Sequence, residues 1–119
     1  MDARLLGRWG EAQAAEYLRK KGYSILSMNF RCRFGELDIV AEDKRYILFV
    51  EVKLRKNADY GPAAAFVTEK KQGRLRAAAQ VFLSGHETEK QPRFDVVEIY
   101  APAGADPKRI RINHLENVF

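Results

Sequence analysis

Residues 36–55, ELDIVAEDKRYILFVEVKLR, alternate apolar and polar side chains on both sides of a polar break at Asp43, Lys44 and Arg45. That pattern predicts two adjacent strands closed into a hairpin. Placing Lys44 and Arg45 at the tip sets Leu37 opposite Val52, Ile39 opposite Val50 and Ala41 opposite Leu48. One face of the hairpin is then wholly apolar. On the other face Val40 meets Phe49, Asp38 lies opposite Glu51, and Glu36 lies opposite Lys53. A slip of one residue would expose the apolar set. Lys-Arg suits a two-residue turn poorly, so a four-residue loop from Asp43 to Tyr46 in the same register is an equal alternative.

Directly opposed side chains have Cβ atoms roughly 5 Å apart, so this register gathers three carboxylates and one ammonium. Carboxylates crowded together raise one another's pKa, and burial adds to the penalty. A divalent cation removes it. Oxygen ligands select Mg²⁺ or Mn²⁺. One cysteine and two distant histidines are too few for a usual zinc site.

At 119 residues the chain is expected to form one domain, residues 1–119. It contains no apolar run long enough to span a bilayer, and its first residues lack the apolar segment expected of a secretory signal. Cys32 alone cannot form an internal disulfide, which fits a reducing cytoplasm. Lys and Arg number 21 against 16 Asp and Glu, a formal charge of +5 that favours a polyanion such as nucleic acid as partner.

Residues 2–21 carry a helical pattern, with Leu6, Gly7, Gly10, Ala14, Tyr17 and Leu18 on one arc. Glu11 falls at the margin of that arc, where it either points toward the hairpin or simply reaches water. Gly22 ends the helix, and residues 23–30 follow as a strand. Arg31 and Arg33 lie just upstream of Glu36, as phosphate contacts or as a solvated connection. Past Lys53, Arg55 and Lys56 extend the basic run and join the expected nucleic-acid contacts. A connection through Tyr60, Gly61 and Pro62 leads to a second helix. Thr68 caps that helix, which runs to about Ser84 with Gly85 beyond it.

Leu75, Ala78, Ala79 and Phe82 form the inner stripe of the second helix. Gln72, one turn earlier, is an inward amide that must be hydrogen-bonded, either in the site or at the end of the stripe. Lys70, Lys71, Arg74 and Arg76 give the first half of this helix either a phosphate-facing patch or simply a solvated charged face. Residues 86–93 read as a polar loop and residues 94–100 as an interior strand. The strand, helix, strand order predicts a crossover with parallel pairing. Residues 109–113 alternate as a final edge strand, and His114 is assigned a structural role.

The GELDIVAED and FVEVKLR segments, Gly10-Glu11 on the first helix, YGPAAAFVTEKKQGRLRAAA and FDVVEIY together resemble the YraN-like family of small uncharacterised bacterial proteins. The order of Asp38 and then Glu51-x-Lys53 resembles the PD-(D/E)XK nuclease superfamily, with Leu37 where the superfamily motif has Pro. The resemblance implies an α/β, restriction-endonuclease-like three-layer sandwich, a mixed central sheet of about five strands flanked by helices, similar to Holliday junction resolvases. It implies Asp38 and Glu51 as metal ligands, the Val52 carbonyl as a third and Glu11 as an outer ligand. Lys53 would orient or help deprotonate the attacking water, and Gln72 would be a polar helix residue near the site. Glu36 is a family feature without an assigned role. The expected activity is Mg²⁺-dependent or Mn²⁺-dependent phosphodiester hydrolysis on nucleic acid, DNA before RNA and branched DNA in particular. A homodimer suits a cutter that handles two strands. The alternative is a nucleic-acid-binding or protein-binding module that retains the fold without cleavage.

Overall fold

A computed structural model describes residues 3–55, 67–101 and 109–119. Its elements run in the order α1 (Ala3–Lys20), β1 (Ser24–Cys32), β2 (Gly35–Glu42), β3 (Tyr46–Arg55), α2 (Glu69–Ser84), β4 (Gln91–Tyr100) and β5 (Arg111–Leu115). The expected loop residues Lys56, Tyr60, Gly61 and Pro62 lie outside the described residues. The strands form one sheet in the order β1-β2-β3-β4-β5. β3 and β4 pair in parallel and every other neighbour is antiparallel. The chain is therefore α/β with a five-stranded mixed sheet, as its pattern predicts. No helix among the described residues is long and apolar enough to cross a membrane.

The two sheet faces carry separate cores. On one, Ala14, Ala15 and Leu18 of α1 pack on Ile39, Ala41, Leu48, Val50, Val97 and Ile99. On the other, Leu75, Ala78 and Ala79 of α2 pack on Val40, Ile47, Phe49 and Val96. Alternating apolar residues on both faces of β3 and β4 thus require a helix on each side. The layering is helix, sheet, helix.

Local signals in the sequence explain the element ends. Lys21 N donates to Tyr17 O, Tyr23 N donates to Leu18 O, and Gly22 sits at φ +97°, a value open to glycine and strained for other residues. Thr68 caps α2 by accepting from Lys71 N at 3.2 Å. At the hairpin tip, Asp43 Oδ1 accepts from the backbone N–H of Arg45 and of Tyr46, both at 2.8 Å. This side-chain turn replaces the Asn-Gly chemistry that Lys44-Arg45 lacks.

Near the tip the hairpin has the predicted register: Ile39 pairs with Val50, Val40 with Phe49, Ala41 with Leu48 and Glu42 with Ile47, but the expected pairs Leu37–Val52, Asp38–Glu51 and Glu36–Lys53 are not rungs of the ladder. One residue departs from its expected face. Leu37 belongs to the core under α2, not to the α1-side set of Ile39 and Ala41. The β2–β3 ladder ends at Ile39–Val50, and the Asp38 carboxylate takes the N–H of Val52 at 2.9 Å. The strand is thus free to turn beyond that point. β4 also begins earlier than expected, at Gln91, because Gln91 N finds the Arg45 carbonyl at 3.0 Å.

Candidate metal centre

Asp38 occupies the place where the hairpin ladder opens, so groups from both layers can reach it. Glu11 arrives from α1, whose Gly10 lies against Leu54 with only 3.7 Å from an added Cβ to the leucine side chain. Glu36 arrives from the start of β2. One carboxylate oxygen from each of Glu11, Glu36 and Asp38 lies within 4.8 Å of the others. Glu11 Oε1 is buried and has no hydrogen-bond partner among the described residues. Among the described residues, the ion pair to this trio comes from Arg31, 3.5 Å from Glu36, with the arginine side chain 69% exposed. An exposed pair of that kind compensates little charge.

The electrostatic result is visible at Asp38. Burial, then the negative charge of Glu51 and those of Glu11 and Glu36, push its carboxyl up to about 7 against the opposing Val52 N–H bond. A buried, partnerless carboxylate oxygen among crowded carboxylates is the donor set of a hard divalent cation. The residues present therefore fit Mg²⁺ or Mn²⁺. Glu36 joins the cluster although the sequence left its role open. The signal was its spacing, two residues before Asp38 on the same strand.

Glu51 faces the neighbouring space under α2. Its Oε1 accepts from Lys71 Nζ at 2.6 Å and lies 3.9 Å from Lys53 Nζ. The Lys71 ammonium is raised: burial opposes its charge, and contact with Glu51 outweighs burial. Lys53 is lowered by burial first and by the Lys71 charge second. Lys71 is thus beside the Glu51-x-Lys53 motif and not at a distant rim. Its position one turn before Leu75 on the inner stripe of α2 was the sequence signal for this.

The other expected contacts divide. Gly35, Glu36, Thr68, Lys70, Lys71, Arg74 and Leu75 line a cleft of about 420 Å³ beside the carboxylates. Gln72 Nε2 donates to the Val67 carbonyl at 3.0 Å, at the start of α2. Arg33 is exposed, with its guanidinium 4.6 Å from the Phe34 ring centroid. Arg55 is turned inward, 3.2 Å from Glu98, with side chains only 9% and 1% exposed. Lys56 lies outside the described residues.

A second polar centre, which the residue pattern did not announce, lies within β4. Asp95 accepts from Arg93 Nε at 2.9 Å, from Arg93 Nη2 at 2.8 Å and from Asn117 N at 3.0 Å, and His114 Nε2 is 2.7 Å away. Tyr17 OH lies 3.3 Å from His114 Nδ1, and Arg93 also donates to Tyr23 OH. The carboxylate and its partners satisfy one another and tie β5 and α1 to the sheet.

Comparison with known proteins matches residues 10–99 to the model of the Uncharacterised protein family UPF0102. A UPF0102 protein of Syntrophomonas wolfei is 46% identical over 117 residues, covering 98% of each chain. One from Pelotomaculum thermopropionicum is 45% identical over 120 residues, covering 99% of this chain and 98% of the relative. A third, from Caldanaerobacter subterraneus, is 39% identical over 123 residues, covering 100% of this chain and 98% of the relative.

Proposed function

The chain belongs to the uncharacterised protein family UPF0102, and we propose that it is a metal-dependent nuclease hydrolysing phosphodiester bonds of nucleic acid, DNA in the first place. Two observations on Glu11 carry this reading: one of its carboxylate oxygens lies within 4.8 Å of those of Asp38 and Glu36, and its Oε1 is buried with no hydrogen-bond partner among the described residues. Such a cluster costs stability unless a cation completes it. A +5 chain with Lys70, Lys71 and Arg74 lining the adjacent cleft supports a phosphate polymer as the ligand.

Hydrolysis requires a positioned water, neutralisation of charge on the phosphoryl group and a proton for the departing alkoxide. Glu11, Glu36 and Asp38 would hold the cation, with Glu51 and the Val52 carbonyl as neighbouring donors. The cation, once bound, supplies Lewis-acid polarisation of the phosphate and acidifies water. Lys53 has its ammonium 3.9 Å from Glu51, where it would orient water and stabilise developing negative charge. Lys70 and Arg74 would hold the flanking backbone without reading bases. Because contacts of that kind recognise the shape of the phosphate backbone, a structured or branched DNA is the substrate class proposed, with a symmetric dimer as the form that would address two strands.

One observation favours a second reading, a nucleic-acid-binding module without cleavage. Glu51 already has ammonium neighbours on two sides, so part of the motif is charge-compensated without a cation. The discriminating experiment incubates purified protein with branched, single-stranded and duplex DNA and with RNA, in Mg²⁺, Mn²⁺ or EDTA. Cation-dependent cutting that is lost in Asp38→Ala and Lys53→Ala supports the nuclease. Binding that persists in all variants with no cutting supports the module.

A further inference from the structure

Lys71 faces two ways. Its ammonium contacts Glu51 at 2.6 Å, and it also lines the cleft shared with Lys70, Arg74, Thr68 and Glu36. The Lys71 side chain is 35% exposed while that of Glu51 is only 11% exposed, so an incoming anion can reach the lysine from the cleft it lines. The neighbouring carboxylates show the opposite imbalance: Glu11, Glu36 and Asp38 crowd together, and Glu11 Oε1 has no hydrogen-bond partner among the described residues, while Glu51 has both Lys71 and Lys53 nearby. Two ammonium groups thus stand at the one carboxylate outside the trio, against the single exposed Arg31 guanidinium at Glu36.

From this arrangement we infer that Lys71 is a positioning residue that couples the cleft to the cation site, holding Glu51 by its ammonium until a phosphate group in the cleft competes for it. The inference rests on the proposed cation-dependent reading of the carboxylates. A phosphate in the cleft offers Lys71 an alternative charge-assisted partner. Glu51 is thereby released to add its charge beside Asp38, which favours the cation. The coupling is reciprocal, so a bound cation strengthens phosphate binding by the same factor. Lys70 lines the same cleft and carries the same charge but makes no contact with Glu51 among the described hydrogen bonds and ion pairs. It is the built-in comparison.

Mn²⁺ binding measured by calorimetry on the full chain without nucleic acid tests this directly. Lys71→Met keeps the aliphatic stem and removes the ammonium, and thermal melting checks that each variant is folded. Lys71→Met is expected to bind Mn²⁺ at least about five-fold tighter than the parent, the lower end of measured couplings between sites. Lys71→Arg should match the parent, and Lys70→Met should give less than half the Lys71→Met effect. Equal tightening in Lys70→Met and Lys71→Met would reduce the effect to general charge and overturn the inference. So would unchanged Mn²⁺ affinity in Lys71→Met while Asp38→Asn abolishes binding, an outcome that leaves the cation site standing. Absence of Mn²⁺ binding in the parent overturns the inference together with the cation-dependent reading.

Discussion

Asp38 Oδ2 accepts the backbone N–H of Val52 at 2.9 Å, standing where the next rung of the β2–β3 ladder would be. The carboxylate is therefore fixed by the sheet itself, and one of its oxygens lies within 4.8 Å of those of Glu11 and Glu36. An amide at this position can keep the Val52 bond while losing the charge.

Asp38→Asn is accordingly expected to fold and to melt no lower than the parent in EDTA, because charge crowding is relieved. In the parent, Mg²⁺ or Mn²⁺ at a hundredfold excess over Kd should stabilise by about 2.7 kcal/mol, as any ligand of the native state does. The variant should show no cation-dependent rise in Tm. Paired thermal melts with and without cation check both parts.

Lys53→Met should separate catalysis from binding. The ammonium lies 3.9 Å from Glu51, beside the carboxylates and outside the trio that would hold the cation. Cleavage is expected to fall by about 10²- to 10³-fold, the usual cost of one charge-stabilising donor. Mn²⁺ binding should persist in the same preparation.

Arg55→Ala tests a different kind of arginine. Its guanidinium is 3.2 Å from the buried Glu98, and Glu98 also accepts from Asn113 and Tyr100. Removing one partner of a buried pair costs about 3–5 kcal/mol. Urea denaturation should show that loss, and the salt dependence of DNA binding should keep its slope. Lys70→Ala and Arg74→Ala are expected to do the reverse, each lowering the slope by about 0.9 for every duplex phosphate that the side chain neutralised.

Asp95 gives the chain an acid-sensitive link. Burial works to raise its carboxyl, but hydrogen bonds from His114, Arg93 and the Asn117 N–H outweigh burial and hold it below the ordinary 3.8. The native carboxylate thus binds a proton more weakly than the unfolded one. Its contribution is complete above 3.8 and is lost as pH falls through the native value. Urea midpoints measured from about pH 6 down to about pH 3 should fall steeply in the parent and less so in Asp95→Asn. At neutral pH that variant should already be less stable, since Arg93 loses its buried carboxylate partner.

Much of this architecture was legible in the residue pattern. The alternation from Ile39 to Val50 set the hairpin register because both faces of those strands are buried. Thr68, Gly22 and Gly85 marked helix ends by their own chemistry. The face of Leu37 was not legible, because it depends on the ladder opening at Asp38, a tertiary event. Nor did periodicity reveal that Asp95 and Glu98, in a strand that looks apolar, are each 1% exposed. Their partners His114, Asn113 and Arg55 lie far along the chain, and alternation reports burial without reporting pairing. A carboxylate on each face of an interior strand was the available warning. Within the site, Asp38, Glu51 and Lys53 followed from the hairpin, while the separation of Glu51 from the trio depends on an ammonium brought by the crossover helix.

Glu11 belongs to a helix packed on one face of the sheet, and Asp38 and Glu36 belong to the sheet, so the three carboxylates meet only when that helix has docked. The assembled cluster opposes its own formation, and a cation would reverse the sign of that opposition. Amide hydrogen exchange in α1 should therefore slow on addition of Mn²⁺ even at backbone positions remote from Glu11, since local opening of the helix would have to surrender the ion. Seen this way, the first helix is both a wall of the core and a reporter of whether the centre is filled.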